Sequence, residues 1–103
     1  MKAANECQSM QDLRDEIDAL DAEIVAALAR RAEYIDRAIE LKPAEGMAAR
    51  IETRVEDVVR NVRVRAMAEG LDPALVESLW RQLIEWSIAR EEEVLGPEAP
   101  TEG

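Results

Sequence analysis

Between Ser9 and Leu41 apolar residues recur at alternating spacings of three and four, at Met10, Leu13, Ile17, Leu20, Ile24 and Ala27, then at Tyr34, Ala38 and Leu41. This period predicts a helix with one continuous buried apolar seam. Ser9-Met10-Gln11-Asp12 forms a capping-box pattern at its start, and neither Gly nor Pro interrupts it before Pro43. A proline pushes the residue before it out of the helical region, so the helix is expected to stop there. From Asp12 to Leu41 it would run ~45 Å, whereas a compact chain of this length has a radius of gyration of only ~13 Å. Such a helix overhangs its own globule, and something must cover the overhang.

A short connection from Pro43 to about Ala48, containing Gly46, leads to a second helix with apolar residues at Ile51, Val55, Val58, Val62 and Ala66. Gly70 is suited to a left-handed C-terminal cap. Asp72-Pro73 then supplies an N-cap and a proline at the first helical position of a third helix. Val76, Leu79, Trp80, Leu83, Ile84, Ile88 and Leu95 form its expected inner face, and Gly96-Pro97 ends it. The fold class is therefore all-α: three helices, one very long, with no strand and no internal repeat. Residues 1–8 read as an N-terminal arm, 9–95 as one helical domain and 96–103 as a disordered acidic tail.

Composition narrows the chemistry. At 103 residues and 11.5 kDa the chain is one domain with room for only a modest core. Phe is absent and Tyr34, Trp80 and Trp86 are the only aromatic residues, which favours helix over sheet. No apolar run approaches a membrane span, and Met1–Asn5 is followed by Glu6 rather than a signal-type apolar stretch, so a cytoplasmic location is expected. Histidine is absent and Cys7 is the single cysteine, which excludes zinc sites, Ser-His-Asp triads and Cys-His dyads; no metal and no cofactor are expected. The net charge of −10 argues against nucleic acid. Yet residues 30–65 hold nine Lys/Arg against seven Asp/Glu, so a locally basic middle lies inside an acidic protein. It could hold a small anion, or it could be a solvated face on which charges cluster by chance.

Charges on apolar seams sharpen that choice. Arg31 falls in register between Ala27 and Tyr34, and Lys42 follows eleven residues later, nearly in line on the same face. Both could snorkel to water or pair with acids such as Glu45. Alternatively, two cations face one interior space. In that case they are uncompensated in the empty protein, and replacing either by Ala should cost activity with little loss of stability. Arg14 lies on a neighbouring edge, about 25 Å along the axis from Arg31. Either it is a surface residue, or the Arg14 end of one chain reaches the Arg31 region of another in a dimer, which also covers the overhang. Arg54 abuts the Ile51-Val55-Val58 stripe. Glu91 occupies an apolar register between Ile88 and Leu95, or belongs with Glu92 and Glu93 to a solvated helix end. Desolvation favours a neutral carboxyl, which donates a hydrogen bond that a carboxylate cannot.

Residues 12–31, DLRDEIDALDAEIVAALARR, with Lys42, resemble the first helix of the all-helical class of chorismate mutases, and residues 83–91, LIEWSIARE, resemble that family's third helix. The resemblance spans about residues 9–95. It implies an intertwined homodimeric helical bundle with two equivalent pockets, each fed by both chains, that bind chorismate or isochorismate without metal or cofactor. It implies that Arg31 and Lys42 of one chain and Arg14 of the other grip the substrate's carboxylates and ether oxygen, that Arg54 adds charge, that Ser87 supports a carboxylate, and that Glu91, protonated, donates to the ether oxygen. The implied reaction is the Claisen rearrangement of chorismate to prephenate, which needs neither a base nor a nucleophile.

A sister branch, the isochorismate pyruvate lyases, is similar in Cys7, Asp12, Arg14 and Tyr34. Many mutases carry a Glu directly after the arginine matching Arg54 and an Asp three residues before it; Val55 and Ile51 stand there in this chain, as in the lyase pattern. Ser87 points back to mutase. Chorismate mutase is the expected activity, isochorismate pyruvate lyase the alternative, and a noncatalytic helical dimerisation or regulatory module the reading from outside enzymology. That last reading explains the seams but not Arg31, Lys42, Arg54 and Glu91 together.

Overall fold

A computed structural model describes residues 1–96 of the chain, and the expected acidic tail lies outside the described residues beyond Gly96. Three helices carry the structure, α1 (Met10–Glu45), α2 (Glu52–Ala68) and α3 (Pro73–Leu95), after a single 3-10 turn at Ala4–Glu6; among the described residues there is no strand. None of the helices is long and apolar enough to cross a membrane. The chain divides into two compact units, Met1–Tyr34 and Ile35 onward, and α1 contributes to both.

In the first unit the expected cap is present. The Asp12 backbone N–H donates to Ser9 Oγ at 3.1 Å, and the Asp12 carboxylate accepts from the Gln8 N–H at 3.2 Å. That N–H, and then Lys2 at 3.3 Å, hold the Asp12 carboxyl below its ordinary range. The seam is helical as expected but is not buried within the chain. Met10, Ile17, Leu20 and Ile24 are all exposed, and Tyr34 is 77% exposed. No residue of α1 is buried, and over its first-unit part the reason is that this unit holds no second helix against which the seam could pack.

Pro43 does not stop α1, which runs two residues further and ends at Gly46. Met47 N–H donates to Lys42 C=O at 3.0 Å and Gly46 N–H to Pro43 C=O at 3.2 Å, with Gly46 at φ +68°. This is a Schellman ending, and it outcompetes the proline because Pro43 falls in the last turn, where only one internal bond is forfeited. Gly70, at φ +73°, closes α2 in the same way, through Leu71 N–H to Ala66 C=O at 2.8 Å and Gly70 N–H to Met67 C=O at 3.2 Å. As expected, Asp72 caps α3 by accepting from the Ala74 N–H at 2.9 Å, with Pro73 at the first position.

The second unit is built on the antiparallel pair α2 and α3. Its core is Ala49, Val55, Val59, Ile84 and Ile88, with Val58 and Leu95 partly buried around it. Val59, absent from the expected stripe, is more deeply buried than Val58 or Val62 because a core-facing helical arc is wider than a single row. Leu79, expected inside, is 46% exposed. At about 100° per residue it falls outside the arc centred on Val76, Ile84 and Ser87.

Ion pairs run along α3 and join it to α2 and to the connection before α2. Arg63 meets Glu77 at 2.7 Å, Arg81 meets both Glu77 at 2.8 Å and Glu56 at 3.2 Å, and Arg50 meets Glu85 at 2.5 Å. Arg90 of α3 holds Asp36, on the last part of α1, at 2.5 Å while lying over the Trp86 ring. Hydrogen bonds from these arginines keep Glu77, Glu85 and Asp36 below the ordinary carboxylate range. A lowered folded-state value stabilises the fold above the unfolded-state range, and that contribution is lost as pH falls through the lowered values. The urea midpoint should therefore drop between pH 7 and pH 3, with most of the change below roughly pH 4. Because the Asp36 and Glu85 pairs are exposed and Glu77 is only partly covered, 0.5 M salt should shrink the drop; an equal midpoint at both pH values would show that the pairs add nothing.

Candidate functional site

Position along α3 explains how polar groups come to lie inside. Ser87 and Glu91 are one turn apart on the same arc as Ile84 and Ile88, and they are the two buried polar residues of the described chain, at 3% and 4% exposure. Ser87 Oγ donates to the Leu83 carbonyl at 2.9 Å, a back-bond that satisfies the hydroxyl proton within its own helix. Glu91 has no such local partner. Its compensation comes from the end of α1, where Lys42 Nζ lies 2.8 Å from Glu91 Oε1. The same ammonium donates to the Ala49 carbonyl at 2.9 Å.

Lys42 and Glu91 are thus a largely buried ion pair. Burying a lone carboxylate is very costly, and an adjacent ammonium offsets much of that cost. Glu91 Oε1 nevertheless receives no aligned hydrogen bond, so it is held by charge rather than by a directed donor. An ammonium has three donors, and Lys42 has committed one to Ala49. A cation fixed by a backbone carbonyl and a buried acid is preorganised to take an oxygen ligand without first being desolvated.

The other expected residues are distributed as follows. Arg54 is exposed in the first turn of α2, in the second unit with Lys42, Ser87 and Glu91. Arg14, exposed, and Arg31, half-buried, lie on α1 within the first unit. Among the described residues neither Arg14 nor Arg54 has a carboxylate partner. The expectation that the seam cations stand uncompensated needs correction: Lys42 is paired with Glu91, not with Glu45, and Arg31 is not without a partner. Glu91 does not belong to the solvated helix end either, since it is buried while Glu93 is exposed.

Sequence reasoning missed the Ala49 carbonyl and the pairs Arg50–Glu85 and Asp36–Arg90. A backbone acceptor has no side-chain signature, and partners 35 and 54 residues apart carry no periodic signal. An open groove of about 490 Å³ along α2 and α3 is lined by residues that include Val59, Val64, Met67, Arg60, Arg63 and Arg81. All three arginines there are tied to carboxylates.

Residues 13–92 match the family described as chorismate mutase type II. The chain is 36% identical over 91 residues to an isochorismate pyruvate lyase of Pseudomonas aeruginosa, covering 88% of this chain and 89% of that protein. It is also similar to two proteins named T-protein. The identity is 29% over 84 residues to that of Haemophilus influenzae, and 30% over 79 residues to that of Enterobacter agglomerans. These matches cover 82% and 77% of this chain but only 22% and 21% of the T-proteins.

The ion pair has a measurable signature. Lys42→Ala strands a buried carboxylate and should destabilise the fold by about 2 kcal/mol, less than the ~3–5 of a fully buried pair because Lys42 is partly exposed. Lys42→Ala combined with Glu91→Ala should lose less than the sum of the two single variants. Strict additivity in urea unfolding would mean that the two groups do not interact.

Proposed function

We propose that this chain, which belongs to the chorismate mutase type II family, rearranges chorismate to prephenate in a preorganised cationic pocket shared between two copies. The observation that carries the reading is the buried Lys42–Glu91 pair on the Ser87 face of α3. The substrate is a dianion, and the reaction breaks an ether C–O bond as a C–C bond forms within the same molecule. Atoms balance without water, base or cofactor. Catalysis then reduces to holding the reactive conformation and stabilising charge on the ether oxygen.

In this reading residues 9–95 form the catalytic domain. Lys42 and Arg31 bind carboxylate and ether oxygens, Arg54 adds positive charge, Ser87 supports a carboxylate, and Glu91, protonated once the substrate engages Lys42, donates to the ether oxygen. Arg14 comes from the second chain of an intertwined homodimer. The exposed seam Met10, Ile17, Leu20 and Ile24 supports the dimer, because a contiguous apolar row on one helix is a surface that another helix would cover.

A second reading, isochorismate pyruvate lyase, is favoured by the 36% identity to a protein of that name across 89% of its length. Val55 supports it too: it is buried in the core, so the position after Arg54 offers no carboxylate to a ring hydroxyl. Incubation with chorismate and isochorismate separately decides between them. Prephenate from chorismate is the expected result. Salicylate and pyruvate from isochorismate, with no prephenate from chorismate, would transfer the assignment to the lyase; no product from either would leave a noncatalytic module.

Two further outcomes test the site. Sedimentation at micromolar concentration should give twice 11.5 kDa, and Lys42→Ala or Arg31→Ala should lower turnover ~10²-fold or more. A fully active monomer would sink the shared pocket. Glu91→Gln, always neutral and always a donor, should retain activity near pH 7.5. An inactive Glu91→Gln would instead assign Glu91 a role as a charged group.

A further inference from the structure

We infer that Arg50 is a positioning residue for Lys42, acting through the Ala49–Arg50 peptide unit. This rests on the proposed role of Lys42 in holding an anionic substrate. The Ala49 carbonyl that accepts from Lys42 belongs to the same rigid plane as the Arg50 backbone nitrogen. That plane is held from both sides. Ala49, 5% exposed, packs with Val55, Val59, Ile84 and Ile88. On the other side the Arg50 guanidinium reaches Glu85 of α3 at 2.5 Å and Glu52 at the start of α2 at 3.4 Å.

The connection between α1 and α2 has no secondary structure of its own over residues 47–51. Without the arginine the small Ala49 side chain would be the side-chain contact left to fix the carbonyl, and the carbonyl sets one of the three donors of Lys42. Arg50 and Glu85 are themselves well exposed, with side chains at 37% and 57%, so their pair is worth little to global stability. Its effect falls instead on where the ammonium points. Arg50 touches no proposed substrate group, so its loss weakens binding more than turnover.

The chain has only two lysines, Lys2 and Lys42, which makes a direct structural readout possible. Limited acetylation of the ligand-free protein, read by peptide mass spectrometry, gives the Lys42 to Lys2 ratio; side-chain exposures of 17% and 53% make Lys42 the slower site. Arg50→Ala and Glu85→Ala should each raise that ratio about threefold, the scale set by one exposed ion pair, and the double variant should raise it no further. The KM for chorismate should rise by a similar factor with kcat within twofold. An unchanged ratio and an unchanged KM in both single variants would overturn the inference. So would a fall in melting temperature accompanied by faster acetylation of both lysines, which marks general loosening. A raised ratio in a protein whose wild type turns over neither chorismate nor isochorismate would uphold the positioning role and remove the functional reading alone.

Discussion

A carboxylate cannot stay charged at 4% exposure without a cation beside it, and this constraint organises the second unit. Glu91 fixes where Lys42 must lie, and Lys42 in turn fixes the Ala49 carbonyl. Two exposed pairs, Asp36–Arg90 and Arg50–Glu85, tie the same end of α1 and the following connection to α3. A buried ion pair is seldom more stabilising than well-packed apolar residues of the same volume. Beside a cluster of five buried apolar residues, its presence fits the proposed role of the ammonium in binding substrate better than a contribution to folding.

Charge is used in two ways on this small surface. Around the α2–α3 groove, Arg60, Arg63 and Arg81 are satisfied by neighbouring carboxylates, and two of those contacts join one helix to the other. Arg14 and Arg54 are exposed and without carboxylate partners among the described residues. Cations of the first kind have their electrostatic demand met within the fold. Those of the second kind remain available to an anion, the part that Arg14 and Arg54 take in the proposed dianion pocket.

The first unit raises the converse issue. Ile17, Leu20 and Ile24 are apolar, in register and about half exposed, and burying the rest of each would contribute roughly 1 kcal/mol. The proposed homodimer would recover that free energy and, in the same step, supply Arg14 to the partner's pocket. Stability and function would then depend on one association, as expected of a chain too short to build a large core alone.

By itself the sequence determined the helices, their caps and their glycine endings, because these depend on interactions within a few residues: Ser9 before α1, Asp72-Pro73 before α3, Gly70 after α2. It also marked Lys42 and Glu91, since a charge in an apolar register is visible one helix at a time. Local rules erred at Pro43, where a proline in the last turn is cheaper than its reputation, and at Leu79, where the edge of the buried arc depends on the facing helix. Only the tertiary structure decided that Lys42 meets Glu91 rather than Glu45, that a backbone carbonyl at Ala49 shares the ammonium, and that Arg50 reaches Glu85. These contacts join residues 7 to 49 positions apart, and neither their partners nor their distances leave any periodic trace along the chain.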